Sequence, residues 1–139
     1  MSTEENKAIV RAHFQTIFTE KKLDLADETV AQDYVHHGGF AEPAPGLAAE
    51  RQRLAMIIAA VPDLYATIED MVAEGDNVGV RWTGGGTLQG ELAGIPPTGK
   101  PWRIEGISIY RISAGKIAEQ WESSDALGAL RQFGVIPAS

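Results

Sequence analysis

"WRIEGISIYRISAGKIAEQWESSDALGALRQFG", residues 102–134, decides the fold. Residues 102–112 and 116–123 are rich in Ile, Tyr and Trp and alternate in polarity, so each reads as a strand. The "SAGK" between them is a turn, which makes the pair antiparallel. A short helix from about 125 to 133 closes the segment, with Asp125 at its mouth. Apolar side chains fall on both faces of 102–112, so one face needs cover beyond the protein's own core. A homodimer is expected from this.

Upstream the same grammar continues. Residues 64–73 alternate loosely, "EGDN" at 74–77 is a turn, and 78–83 ("VGVRWT") is a strand, giving a second hairpin. "GGG" at 84–86 leads into a short segment, and "GIPPTGK" at 94–100 is a rigid loop. Before residue 62 the period is helical. Ser2-x-x-Glu5 is a capping box, in which each side chain satisfies an orphan backbone N–H. Ile9, Val10, His13, Phe14, Ile17 and Phe18 then follow at three- and four-residue intervals. "LDLADETVAQDYV" reads as a second helix ending near Asp33, and 36–46 as a loop. Leu47, Leu54, Ile58 and Val61 form the stripe of a third helix, which Pro62 stops.

Helices first and hairpins after give the α+β class with an antiparallel sheet. A sheet curled around the N-terminal helices can hold a pocket. With 139 residues and no linker or repeat, residues 1–139 form one domain.

The composition excludes several functions. A net charge of −7 with scattered basic residues argues against nucleic acid. No cysteine means no disulfide and no thiolate chemistry. "MSTEENKAIV" has no apolar signal region and no apolar run approaches a membrane span, so a cytoplasmic protein without a membrane partner is expected. "GELAGIPPTGK" lacks the phosphate-loop spacing and a following helix, so nucleotide binding is not supported.

The candidates for chemistry are few. Asp125 is either a helix cap or an acid/base group, and the residues alone leave both open. Strict alternation puts Glu119, Trp121, Ser123 and Asp125 on the face of Ile117, with Gln120 and Glu122 pointing the other way. Glu119 is then either paired at the sheet edge or a second carboxylate in the pocket. His36 and His37 follow the second helix, and His13 sits at the border of an apolar stripe. Adjacent histidines in an extended segment point apart, so no metal site is expected. Arg81 faces opposite to Val78, Val80 and Trp82. It is either a solvated residue or an anchor for an enolate oxygen. Phe14, Phe40, Met56, Trp82, Trp102, Tyr110 and Trp121 supply apolar surface for core or ligand.

"VPDL" at 61–64, "EGDNVGVRW" at 74–82, "GTLQGELAGIPPTGK" at 86–100 and "GKIAEQWESSDALGALRQFG" at 115–134 together resemble the SnoaL-like polyketide cyclases, within the nuclear transport factor two-like (cystatin-like) superfamily. The resemblance spans nearly the whole chain. It implies N-terminal helices packed in a strongly curved antiparallel sheet, a cone with an apolar pocket. It implies no cofactor and no metal, and an aspartate acid/base just before the "LG-x-L-x-Q-x-G" helix, which falls on Asp125. It also brings His37 towards the pocket. The implied activity is a cofactor-independent, aldol-type ring closure on a small hydrophobic carbonyl compound. Asp125 would carry the chemistry, with His37 and Glu119 assisting. An isomerase, a hydrolase or a non-catalytic small-molecule binding protein is the alternative.

Overall fold

Why the chain curls is already visible in its strands. In a computed structural model, which describes residues 1–39 and 41–137, five strands form one open sheet that bends around the helices. Helix α1 spans Thr3–Phe14 and runs on as a π-helical turn, Gln15–Thr19. Its capping box forms as written: Ser2 Oγ accepts the Glu5 N–H and Glu5 Oε1 accepts the Ser2 N–H, both at 3.0 Å. A 3₁₀ helix, Leu23–Glu28, leads into β1, Val30–Gly38. Helix α2 covers Leu47–Ala60 and stops before Pro62, as the ring of proline demands. Strands β2 (Tyr65–Glu74), β3 (Asn77–Thr87), β4 (Pro101–Ser113) and β5 (Lys116–Ser124) follow, then α3, Ala126–Gln132.

The sheet order is β1-β5-β4-β3-β2. All pairs are antiparallel except β1 with β5, so the sheet is mixed at one edge. Two sequence expectations are corrected here. The second helix does not reach Asp33: residues 30–38 are a strand, and His36 and His37 lie on it rather than in a loop. The register of β1 breaks between Val30 and Val35, which scrambles the alternation that would have announced it. Nor does β3 stop at residue 83, for it runs on to Thr87. Gly84, Gly85 and Gly86 pair with Ile104, Arg103 and Trp102, and ladder bonds within a central strand override the weak propensity of glycine.

Val10, Phe14, Ile17, Val78, Val80 and Ile117 bury the inner face against α1. Burying a side chain such as Ile17, with no exposure, contributes roughly 1.5–3 kcal/mol. A second cluster, around Val61, Leu64, Leu88, Leu92 and Phe133, closes the other end. The outer face is different. Val72, Ile107, Ile109 and Trp121 are exposed on it, and one row runs Val72–Gly79–Ile109–Trp121–His37 across all five strands. Among the described residues no helix is long and apolar enough to cross a membrane.

Candidate active site

Between α1, α2 and the inner face of the sheet lies a cavity of about 140 Å³. Glycine makes the room for it. The ring of Trp82 lies flat over Gly106, where any Cβ would collide with it, and packs within reach of Gly84. Phe14, Leu54, Ala66, Ile104 and Phe133 give the cavity apolar walls. One end is polar and is built from β1, α2, β4 and β5.

The reason lies in a bulge. Arg111 pairs with Glu119 while its neighbour Ile112 pairs with Ile117, so Ala118 is an extra residue in β5. It shifts the alternation by one. Ile117 faces inward, and after the bulge Gln120, Glu122 and Ser124 line the cavity while Glu119 and Trp121 face out. The expectation that Gln120 and Glu122 point away from the pocket is therefore reversed.

Glu122 meets His36, which is 2% exposed and sits behind it. His36 Nε2 lies 3.0 Å from Glu122 Oε1, and Nδ1 lies 3.3 Å from Glu50 Oε2. A backbone without side chains makes room for the carboxylate: a Cβ on Gly39 (φ +75°) would stand 2.7 Å from the Glu122 carboxyl carbon. Arg53 grips Glu50 in a fork, with Nε 3.3 Å from Oε2 and Nη2 on Oε1.

Hydrogen-bond directions place the protons. Tyr34 donates its hydroxyl proton to Gln120 Oε1 at 2.6 Å, so its oxygen accepts from His36 Nδ1 at 3.0 Å. Gln120 Nε2 donates to Ser108 Oγ (3.1 Å) and Tyr110 Oη (3.3 Å), and Trp82 Nε1 donates to Ser108 Oγ (3.0 Å). Nδ1 of His36 is thus protonated, and one further proton lies between Nε2 and Glu122. Burial opposes a charge on His36, but the hydrogen bonds that it donates to the Glu122 and Glu50 carboxylates outweigh it and raise its pKa. Burial likewise opposes the Glu50 carboxylate, yet its bonds to His36 and Arg53 bring its pKa down to about 2. The pair Arg53 and His36 balances Glu50 and Glu122. His13 lines the cavity too, but burial lowers its pKa to about 4, and its neutral ring lies 3.2 Å from Thr29 Oγ1.

The sequence candidates divide sharply. Phe14, Trp82, Trp102 and Tyr110 line the cavity. Asp125 does not: it is exposed and caps α3, accepting the Gly128 N–H at 2.9 Å. His37 and Glu119 do meet, at 2.6 Å, but on the outer face, where Arg111 Nε also binds Glu119 at 3.0 Å and Trp121 stacks on His37. Hydrogen bonds from His37 and Arg111 lower the Glu119 pKa, so this is a surface ion cluster. Arg81 is exposed on the same face as Ile107, and Met56 is exposed on α2. Phe40 lies outside the described residues. Sequence reasoning missed Glu50 and Arg53, turned Glu122 away from the pocket, and preferred His37 to His36. Glu50 had a signal, since it falls on the Leu47–Leu54 stripe of α2. Among the described residues no three His, Asp or Glu side chains are grouped to hold a metal ion.

A curved, unclosed five-stranded sheet wrapped on helices is the architecture of the nuclear transport factor two-like proteins. Within that class the chain belongs to the SnoaL-like polyketide cyclase family, whose model matches residues 8–133. Among solved structures it is similar to TsrD from Streptomyces laurentii, at 27% identity and a TM-score of 0.88, covering 98% of this chain and 99% of that one. It is similar to AclR from Streptomyces galilaeus, described as a candidate hydroxylase, at 26% identity and a TM-score of 0.84, covering 98% and 100%. It is also similar to IdmH from Streptomyces antibioticus, described as a candidate polyketide cyclase, at 28% and 0.78, covering 93% and 98%. No curated protein matches the chain.

Proposed function

We propose that the protein is an acid/base enzyme that closes a ring in a small hydrophobic carbonyl compound by an intramolecular aldol step, with Glu122 as the proton carrier. One observation carries this reading: the Glu122 carboxylate faces an apolar cavity while His36 holds its other side at 3.0 Å. In the first step Glu122 takes a proton from the carbon α to a substrate carbonyl, leaving an enolate. That carbon bonds to a second carbonyl carbon, whose oxygen becomes an alkoxide. Glu122 then returns its proton to the alkoxide, so the carboxylate is regenerated. His36 fixes the carboxylate from behind, and Arg53, lining the same end, carries charge opposite to the enolate. The apolar walls fold the substrate so that its two reacting carbons meet. Self-association belongs to the same proposal, supported by the exposed row on the outer face. Sedimentation equilibrium of the protein and of Ile109→Glu tests that part.

The catalytic test is deuterium uptake from D₂O into the methyl groups of 2,6-diacetylnaphthalene, followed by NMR. Catalysed exchange that falls at least about a hundredfold in Glu122→Gln, and persists in Asp125→Asn, supports the reading. Exchange that survives in Glu122→Gln and vanishes in Asp125→Asn returns the role to Asp125.

A further inference from the structure

The bulge at Ala118 sets the four polar side chains of "ESSD", residues 122–125, to different tasks. Glu122 and Ser124 line the cavity, Ser123 is exposed, and Asp125 caps α3 by accepting the Gly128 N–H. Ser124 is therefore not needed as a cap. Among the described residues three hydroxyl groups belong to the cavity wall, those of Tyr65, Tyr110 and Ser124. Tyr110 Oη accepts from Gln120 Nε2, and Tyr65 is 40% exposed on the edge strand β2, three strands from β5. Ser124 is half-buried, and its Oγ has no hydrogen-bond partner among the described residues. Nor is it sealed beneath the surface, as the unpartnered Trp102 Nε1 is.

The neighbours of Ser124 give this open hydroxyl its place. Ser124 pairs with Gly106 of β4, and the Trp82 ring covers Gly106. Side chains of such a cross-strand pair stand about 4.5–5.5 Å apart, so the indole shields Ser124 from that side. Glu122 is two residues away on the same face of β5, roughly 7 Å along the strand. His36 holds Glu122 Oε1, which leaves Oε2 without a partner among the described residues. A base and a hydroxyl donor thus stand side by side. With a hydrogen bond of about 2.8 Å at the oxygen and an approach of about 3–3.5 Å at the α-carbon, one ketone group bridges that spacing.

We propose that Ser124 Oγ–H donates a hydrogen bond to the oxygen of the carbonyl whose α-carbon gives its proton to Glu122. As that C–H bond breaks, its electron pair moves onto the carbonyl oxygen, and the bond from Ser124 strengthens against the new charge. When the α-carbon forms its new bond, the carbonyl is restored and the hydrogen bond relaxes. This rests on the reading of Glu122 as proton carrier and adds a second catalytic residue beside it. Arg53, forked on Glu50, supplies charge at that end, and Ser124 supplies the directed hydrogen bond.

The experiment follows deuterium uptake into the methyl group of 2-acetylnaphthalene, together with the carbonyl ¹³C signal of the bound ketone. It compares the full-length protein with Ser124→Ala, Ser124→Thr, Ser123→Ala and Glu122→Gln. In Ser124→Ala, kcat is expected to fall about a hundredfold with KM little changed. The bound carbonyl signal should move upfield as the hydrogen bond is lost. Ser124→Thr keeps the hydroxyl and should restore most of both effects, while Ser123→Ala changes neither. If Ser124→Ala leaves rate and carbonyl signal unchanged while Glu122→Gln abolishes exchange, the Ser124 bond is refuted and the Glu122 reading stands. A lower rate with an unmoved carbonyl signal also overturns it, because Ser124 is then structural. Exchange that does not depend on Glu122 removes the proton carrier and this inference together.

Discussion

Nε2 of His36 lies 3.0 Å from Oε1 of Glu122, and the same ring reaches Glu50 through Nδ1 at 3.3 Å. One imidazole therefore joins a carboxylate on the cavity wall to a buried ion pair on α2. Replacing His36 with Gln leaves two carboxylates facing a neutral group. A loss of about 3–5 kcal/mol in urea unfolding is expected. Glu122→Gln, which can still accept from His36, should lose less than half as much.

Stability should pass through a maximum near pH 6.5. The folded pKa of His13 is lowered from 6.5 to about 4 by burial, so between those values the unfolded chain binds a proton that the folded chain does not. Stability therefore falls by roughly 3 kcal/mol as pH drops through that window. Glu50, lowered from 4.5 to about 2, adds a further loss below 4.5. His36 works the other way: its raised pKa gives stability that is complete below 6.5 and disappears as pH rises through the folded value. Urea midpoints from pH 3 to 9 check this. His13→Gln should flatten the limb between 6.5 and 4, and an unchanged limb would reassign it.

Filling the glycine beneath Trp82 should close the cavity. A Cβ at Gly106 collides with the Trp82 ring, so Gly106→Ala pushes that ring off the sheet. About 1–3 kcal/mol of stability is lost, and the Trp82 fluorescence and indole signal shift. Ligand binding should weaken in step. Gly94, where a Cβ meets nothing, is not a suitable control because its φ is +84°.

Asp125→Ala should cost about 1 kcal/mol, the value of a helix cap, and Asp125→Asn a few tenths at most. Neither change should alter deuterium uptake into a bound ketone. Differential scanning calorimetry beside the exchange assay separates the two effects.

Much of this fold was legible. The capping box, the stripe of α1, Pro62 and the two hairpins rest on local chemistry, and each forms where the pattern put it. Strand β1 was not, because an irregular register between Val30 and Val35 interrupts the two-residue period and an acidic 3₁₀ segment precedes it. The site was harder still. Counting by twos from Ile117 is sound until Ala118, where one additional residue turns every later side chain of β5 over. A bulge of this kind is set by the pairing with β4, and no residue of "KIAEQWES" announces it. Strict alternation therefore points Glu122 outward and Glu119 inward, the reverse of what forms. The aromatic wall fared better, since Phe14, Trp82, Trp102 and Tyr110 lie on elements whose phase the sequence states plainly.

The central claim is that Glu122, not Asp125, faces the ligand. Carboxyl-detected ¹³C NMR during titration with 2,6-diacetylnaphthalene tests it directly, with each signal assigned by Glu122→Gln and Asp125→Asn. The Glu122 carboxyl resonance is expected to move on binding and that of Asp125 to stay in place. Movement of Asp125 with a stationary Glu122 would contradict it.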